Sequence, residues 1–403
     1  MLIGLIGKPS VGKSTFFKAA TLADVEIASY PFTTIKPNHG VGYVKVECID
    51  KEFNTQCMPR HGFCKDHNRF VPVDLMDVAG LVPGASEGKG LGNQFLDDLR
   101  NADAFIQIVD LSGTTDSEGK ILPEGKVYDP CEDVKFLEEE LDFWYYNILI
   151  KVWKGFTRTA EIESKGDFNF AKVVAKQFSG LKVNEEDVKM VLRKLPNETS
   201  GKKPSTWNES EVKLFAHYLR EFSKPMIIAA NKVDHPKAAS NIKKLEDKYR
   251  GKLIYACSAD SELALREASK HGLIDYIPGE ADFKIVEGKV NDKQKAALEK
   301  IKKNVLDKYG GTGVQEILNL AVFELLKYIA IFPAGAHKLT DSKGNILPDC
   351  FLLPPNSTAL DFAFFLHTDF GKNFIKAIDA RSKKALGKEY MLKNGDALEI
   401  VTR

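Results

Sequence analysis

The opening "MLIGLIGKPSVGKSTFFKAATLA" limits the possible folds more than any other stretch of the chain. Met1 to Ile6 is a short, continuous apolar run, the pattern of a parallel strand buried on both faces. "STFFKAATLA" sets Phe16, Phe17, Ala20 and Leu22 where they can share one helix face. Between these two elements lies Gly7-x-x-x-x-Gly12-Lys13-Ser14, and strand, glycine loop and helix in that order fit a phosphate-binding turn. Glycine at both ends lets the main chain bend tightly and aim successive N–H groups at one ligand. Together with the positive end of the following helix, those groups make an anion cradle. Lys13 reaches the β and γ phosphates as a point charge, and the Ser14 hydroxyl takes one position on magnesium. By average residue usage the bare pattern arises in roughly one or two such chains in a hundred. The flanking elements make chance rarer still. Gly7, Lys8, Pro9, Ser10, Val11, Gly12, Lys13, Ser14 and Thr15 are therefore candidate nucleotide-binding residues, with Lys13 also a candidate catalytic group.

Three later segments say which nucleotide. "FVPVDLMDVAG" is a second apolar strand ending in Asp77-Val78-Ala79-Gly80. Asp77 can hold magnesium through a water, and the Gly80 amide can bind a γ-phosphate oxygen. Alone such an ending is a common turn; after a phosphate loop it is specific. "KPMIIAANKVD" is a third strand, ending in Asn231-Lys232-Val233-Asp234. A carboxylate here accepts from both N1–H and the exocyclic amine of guanine, whereas adenine would leave Asp234 buried and unpaired. A site that hydrogen-bonds one specific edge discriminates by about 10⁴ or more. Lys232 can lay its aliphatic stem along the purine face. "LIYACSAD" brings Ser258 and Ala259 beside the base, with a main-chain N–H for guanine O6. The expected ligand is GTP, and an ATP-using P-loop kinase is disfavoured by Asp234.

Composition permits this and narrows the setting. The chain has 403 residues, enough for two or three domains with real cores, and is 43% hydrophobic and 28% charged, as soluble globular proteins are. A net charge of +1 removes any general attraction to nucleic acid, so such contact would need a local patch. Six scattered cysteines fit no disulfide framework and suggest a reducing cytoplasm. No signal peptide is expected, and the longest apolar candidate, "NLAVFELLKYIAIF", is broken by Glu324 and Lys327, so no membrane partner is expected.

The assembled motifs resemble those of the Obg/YchF-like P-loop GTPases of the translation-factor class. "YPFTTIKPNHG" (residues 30–40) looks like the first switch of that family, and "DVAGLVPGASEGKGLGNQFLDDLRNAD" (residues 77–103) like its glycine-rich second switch. The resemblance implies a switch threonine on magnesium, here Thr34, with Thr33 as the alternative. Magnesium ligands would then be Ser14, Thr34 and Asp77, and the catalytic groups Lys13, Thr34 and Gly80. A hydroxyl recruited only while the γ-phosphate is present orders its loop, and hydrolysis releases it. Many relatives carry Asn where this chain has Ser10, an Asn associated with potassium, so potassium dependence does not carry over and stays open. Leu81 stands where Ras-like GTPases place a water-orienting glutamine, and Ser86 where some members of the family have a histidine. Slow hydrolysis of GTP to GDP and phosphate, raised by a partner or an ordered switch, is the expectation.

The expected architecture is an α/β P-loop NTPase domain with a mostly parallel sheet, an inserted helical domain and a C-terminal β-grasp (TGS) domain. The limits are 1–120 for the first part of the GTPase domain, 121–221 for the insertion, 222–332 for the second part with extra helices, and 333–403 for the TGS domain. The stretch from Asp110 to Pro225 is too long for one crossover. It offers helices at "EDVKFLEEELDFWYYNILIKVWKG", "DFNFAKVVAKQF", "NEEDVKMVLRKL" and "ESEVKLFAHYLREF". Trp144, Tyr145 and Tyr146 read as core rather than as a base-stacking platform. Residues 284–308 read as a solvated, Lys-rich helix face, and "GVQEILNLAVFELLKYIAIF" as a helix packing back on the nucleotide domain. The turn "DSKGN", the capped helix in "LPPNSTALDFAFFLHTDF" and the strand in "LKNGDALEIVT" give the last domain its resemblance to TGS modules. From residue 371 to 403 there are eight Lys or Arg against four Asp or Glu, which makes either a phosphate-contacting face toward ribosomal RNA or a solvated surface. The function expected is that of a monomeric, nucleotide-dependent switch engaging ribosome or RNA through its TGS and helical domains. A binding scaffold in which hydrolysis is only a timer is the alternative. Cys57, His61, Cys64 and His67 in "CMPRHGFCKDH" are four zinc-capable ligands that could close a small tetrahedral site, but their spacing follows no zinc pattern, so an exposed loop between strands without zinc is the preferred reading.

Overall fold

The computed structural model describes residues 1–21, 38–78, 80, 99–162, 170–335, 338–341 and 343–403. Strand β1 (Leu2–Ile6) is buried over its last four residues and leads through the glycine loop into α1 (Lys13–Thr21). β2 (His39–Glu47), β3 (Phe63–Lys65) and β4 (Asn68–Asp77) follow. β5 (Ala104–Asp110) is buried at every residue, as its unbroken apolar composition around Gln107 requires of a central parallel strand. The chain then turns to helices α2 (Pro130–Ile162), α3 (Phe170–Gln177), α4 (Glu185–Lys194) and α5 (Glu209–Ser223). It returns as β6 (Met226–Asn231), α6 (Ala238–Lys248), β7 (Ile254–Ala256) and α7 (Ala259–Lys270).

The chain divides into two compact units, Met1–Phe17 with Leu75–Asp260 and Lys18–Asp74 with Ser261–Arg403. In the first, the strand order is β4-β1-β5-β6-β7, and β1, β5, β6 and β7 run parallel. All four therefore end at one edge, and the register sets Asp110 directly beside Asn231 there. The four helical candidates all form helices. Asn184 and Asn208 cap α4 and α5 with complete capping boxes, so both starts are written locally in the sequence. Their apolar faces do not form a core of their own. One continuous cluster runs from Ile6, Val78 and Phe105 of the sheet region through Trp144, Tyr145 and Trp153 of α2 to Trp207 and Phe215. Trp144 and Tyr145 are core residues, and Tyr146 is partly buried against them.

In the second unit β3 and β4 form a hairpin, with Asp66 and His67 at φ 48° and 61° making its two-residue turn. Both central residues are left-handed, the geometry that matches strand twist. Cys57 is buried and Cys64 lies within β3, so the segment read as an exposed loop is instead a folded one, closed by contacts that sequence spacing does not reveal. β8 (Ile274–Tyr276) pairs with β9 (Phe283–Ile285), which takes residues 284 and 285 out of the expected helix. The Lys-rich helix α8 covers Asp292–Ile301 and continues as a wider π-type turn over Lys302–Leu306. The long helix expected from Gly313 is also shorter. α9 (Val314–Asn319) widens into a π-type turn at Leu320–Leu325, and "IAIFP" is strand β10 (Ile329–Pro333). Lys327, at φ 57°, breaks the helix, and the β-branched and aromatic run beyond it finds sheet partners that outweigh a helical pattern. α9 packs on β2 within its own unit: Asn319 hydrogen-bonds both main-chain groups of Lys45, and Gln315 donates to Tyr43 O.

The remaining elements are β11 (Phe351–Leu353), α10 (Ala359–Leu366), α11 (Thr368–Lys372), β12 (Phe374–Asp379), β13 (Ala385–Leu386) and β14 (Ala397–Thr402). Their sheet has the order β11-β10-β14-β12-β13, with β10 and β14 parallel in the middle. Thr358 caps α10, whose Phe362 packs on Ile331, Leu353 and Leu398 of that sheet. Among the described residues no helix is long and apolar enough to cross a membrane.

Candidate nucleotide site

The C-terminal edge of the parallel sheet gathers most of the candidate residues. In the loop after β1, Gly7 and Gly12 have φ of 148° and 98°. A Cβ on Gly12 would stand 2.5 Å from Asn231 Nδ2, and one on Gly7 would stand 2.6 Å from Ile108 O, so neither position accepts a side chain. Ser10 is also left-handed, at φ 66°, a conformation costly for a residue with a Cβ. The ammonium of Lys13 lies inside the curve of this loop, 3.0 Å from Gly7 O and 2.7 Å from Lys8 O. Burial lowers its pKa to about 8, with Asp77 pulling in the opposite direction.

Ser14 and Asp77 meet, Ser14 Oγ donating to Asp77 Oδ2 at 2.8 Å across 63 residues of sequence. Gly80 lies against Pro9, and a Cβ there would come within 3.0 Å of the Pro9 ring. Lys8 departs from the group. Its side chain is buried away among Asp133 (3.1 Å), Thr115 O (3.1 Å) and the Tyr128 ring (3.8 Å to the centroid), leaving its main chain to the loop. Burial lifts the Asp133 pKa to about 6, with Lys8 opposing. Val11 is fully buried, and Thr15 is half-buried at the start of α1.

The segment Asn231–Asp234 is tied directly to this loop. Asn231 is 3% exposed; its Nδ2 donates to Val11 O at 2.9 Å, and its Oδ1 accepts from Ala259 N at 3.0 Å. Lys232, left-handed at φ 67°, sends its ammonium to Asp110 Oδ2 (2.7 Å) and Ser10 O (3.1 Å). Asp234 Oδ1 accepts from Ser258 Oγ at 2.8 Å. Among the described residues Asp234 is exposed, contrary to the expectation of a buried acid; it stands beyond the end of β6. Thr33, Thr34, Leu81 and Ser86 lie outside the described residues, as does most of both switch segments.

Sequence reasoning missed Asp110 and Asp133, which hold Lys232 and Lys8. Asp110 had a signal, an acid at the end of a buried strand between two others that end in candidate residues; Asp133, inside a helical pattern, had none.

Comparison with known proteins agrees with this geometry. The family model described as a 50S ribosome-binding GTPase matches residues 2–135. That of the Obg-like GTPase YGR210-like, G4 motif-containing domain matches 229–335, and that of the TGS domain 338–402. A GTP-binding protein of Methanocaldococcus jannaschii is 48% identical over 403 residues, covering 100% of this chain and 99% of its own length. The ribosome-binding ATPase YchF of Bacillus subtilis is 26% identical over 428 residues, covering 98% of each. The crystal structure of a GTP binding protein from Pyrococcus horikoshii OT3 superposes with a TM-score of 0.76 at 38% identity, covering 100% of both chains. By its motifs, its sheet edge and a whole-length relative at this identity, the chain belongs to the Obg-like GTPase family and carries a YGR210-like G4 motif-containing domain and a C-terminal TGS domain.

Proposed function

We propose that this chain binds GTP in preference to ATP, hydrolyses it slowly to GDP and phosphate, and uses the change to switch its engagement with the ribosome or its RNA. The observation that carries this reading is the meeting, at one sheet edge, of a phosphate cradle with Asn231, Lys232, Asp234 and Ser258. Lys13, held by carbonyls inside the loop, can exchange them for phosphate oxygens, and the loop amides with the α1 N-terminus hold the same charge. Ser14 Oγ and Asp77 Oδ2 are adjacent hard oxygen donors, the set magnesium prefers. With Thr34 they would hold an ion that neutralises charge on the phosphates. The Gly80 amide is the candidate for the γ-phosphate. Asp234 accepts from the guanine N1–H and amine, Ser258 orients it, and the Ala259 region faces O6. Leu81 and Ser86 supply no water-orienting base, which supports a slow intrinsic rate.

Ribosome engagement rests on the names of relatives and on the basic stretch 371–403, of which Arg381 is already paired with Glu52 at 2.5 and 2.8 Å. We read the chain as a cytoplasmic monomer. In the second reading, a nucleotide-dependent scaffold, the ratio of turnover to nucleotide exchange would fall far below unity; the absent glutamine favours that variant.

Competitive binding of GTP, ATP and GDP with magnesium, on wild type and Asp234→Asn, tests the assignment. Losing two hydrogen bonds to a charged acceptor, at about 1.5–3 kcal/mol each, should weaken GTP by roughly 10² to 10⁴. Xanthosine triphosphate, with a carbonyl in place of the amine, should bind the variant better than the wild type. Preference of the wild type for ATP would refute the reading. Co-sedimentation with ribosomes that is no greater with a nonhydrolysable GTP analogue than with GDP would refute the switch.

A further inference from the structure

In the second unit, the excursion between β2 and β4 brings three thiols and a carboxylate to one point. Cys48 follows β2, Asp50 lies in the helical turn Ile49–Lys51, Cys57 precedes β3 and Cys64 lies within it. One ligand atom from each of the four lies within 4.8 Å of all the others. Cys48 Sγ and Cys57 Sγ are 3.6 Å apart, and Cys64 Sγ is 3.9 Å from Asp50 Oδ2. With zinc–sulfur bonds of about 2.3 Å and a zinc–oxygen bond of about 2.1 Å, a tetrahedron has sulfur–sulfur edges of about 3.8 Å and sulfur–oxygen edges of about 3.6 Å. The observed separations are already close to those edges.

The surroundings hold this geometry from outside. Cys48, Asp50 and Cys57 are 1%, 0% and 4% exposed. His67 Nδ1 sits 2.9 Å from Asp50 Oδ1, while Asp50 Oδ2 accepts from Cys57 N at 3.0 Å and faces Cys64. Cys48 N donates to His67 O at 2.8 Å, which closes the excursion through the β3–β4 turn. Arg69, fully buried and opposite Cys64 in the hairpin, adds a positive charge beside the set. A wholly buried carboxylate among three thiols is expensive unless its charge is compensated.

We propose that Cys48, Cys57, Cys64 and Asp50 form a structural zinc site, with His67 orienting Asp50. Four protein ligands leave no open position, which makes the site structural rather than catalytic. Thiolates select zinc over magnesium, so the site is chemically separate from the nucleotide centre. Its ligands include only two of the four residues in the Cys/His stretch; Cys48 and Asp50 come from just beyond β2. What the metal secures is the excursion itself, from which Met58 N donates to Ile346 O (2.8 Å), Arg60 N donates to Pro348 O (2.9 Å) and the Arg60 side chain pairs with Asp349. Zinc would thus brace the approach to β11.

The test is metal analysis of the full chain, expressed with zinc and purified under reducing conditions without chelator. About one zinc per chain is expected. After stripping, cobalt(II) should give thiolate charge-transfer absorption and the intense d–d bands of a tetrahedral site, and zinc should abolish both. Cys64→Ser and Asp50→Asn should lose these bands, Cys131→Ser should keep them, and His67→Ala should weaken zinc by about 10- to 100-fold. Less than about a tenth of an equivalent of zinc together with no cobalt bands in the folded wild type would overturn the proposal, whatever the variants do. So would thiols that react equally fast with and without zinc, or a Cys48–Cys57 disulfide recovered in place of metal.

Discussion

Asn231→Ala separates the two tasks proposed for the segment Asn231–Asp234. Asn231 spans from the phosphate loop to the start of α7 through one donated and one accepted hydrogen bond, of 2.9 and 3.0 Å, and is 3% exposed. Alanine removes both bonds and leaves Val11 O and Ala259 N without these partners. Each orphaned buried group costs about 1–3 kcal/mol, so the variant should lose about 2–6 kcal/mol of stability, less whatever water recovers. Denaturant unfolding followed by circular dichroism measures this. Because the lost tie shapes the phosphate loop, GTP, GDP and inorganic pyrophosphate should all bind more weakly, by similar factors. Asp234→Asn, in contrast, should leave pyrophosphate unchanged. A stability loss under about 1 kcal/mol, or a loss of guanine discrimination with pyrophosphate binding intact, would refute the bridging role.

Gly12→Ala places a Cβ 2.5 Å from Asn231 Nδ2 at a φ of 98°, so nucleotide binding measured by fluorescent-analogue titration should be abolished while the chain still folds. Lys13 has its folded pKa lowered to about 8 by burial, with Asp77 opposing, below the unfolded value of about 10.4. Between those values the unfolded chain holds the extra proton, so this group's contribution to stability is least below about pH 8 and rises through the window. Phosphate favours the charged amine, so GTP affinity should be level below about pH 8 and fall above it, with proton uptake visible by calorimetry in two buffers; a level profile to about pH 9.5 would contradict this. Trp153→Ala removes a ring stacked on Trp207 (6.0 Å, 18°) and packed on Phe156 (5.0 Å), and should cost about 3–5 kcal/mol in urea unfolding.

Sequence alone determined the elements and motifs whose information is local. The phosphate loop declares itself through glycine positions between a buried strand and a helix, and the capped starts at Asn184, Asn208 and Thr358 through residues three apart. The motifs that end β6 and β7 were legible because parallel strands end at one edge. Tertiary structure decided whatever depends on partners distant in sequence. "IAIFP" became a strand because β14 and β11 were there to pair with it. Lys8 was drawn from the ligand side to Asp133, Lys232 found Asp110, and Asp234, beyond the end of β6, is exposed among the described residues. The cysteine cluster shows the same division, since Cys57 and Cys64 lie in one suggestive stretch, but only folding brings in Cys48 and Asp50. Backbone preference acts over a few residues, whereas charge pairing and ligand geometry act through space, and a linear chain does not display that distance.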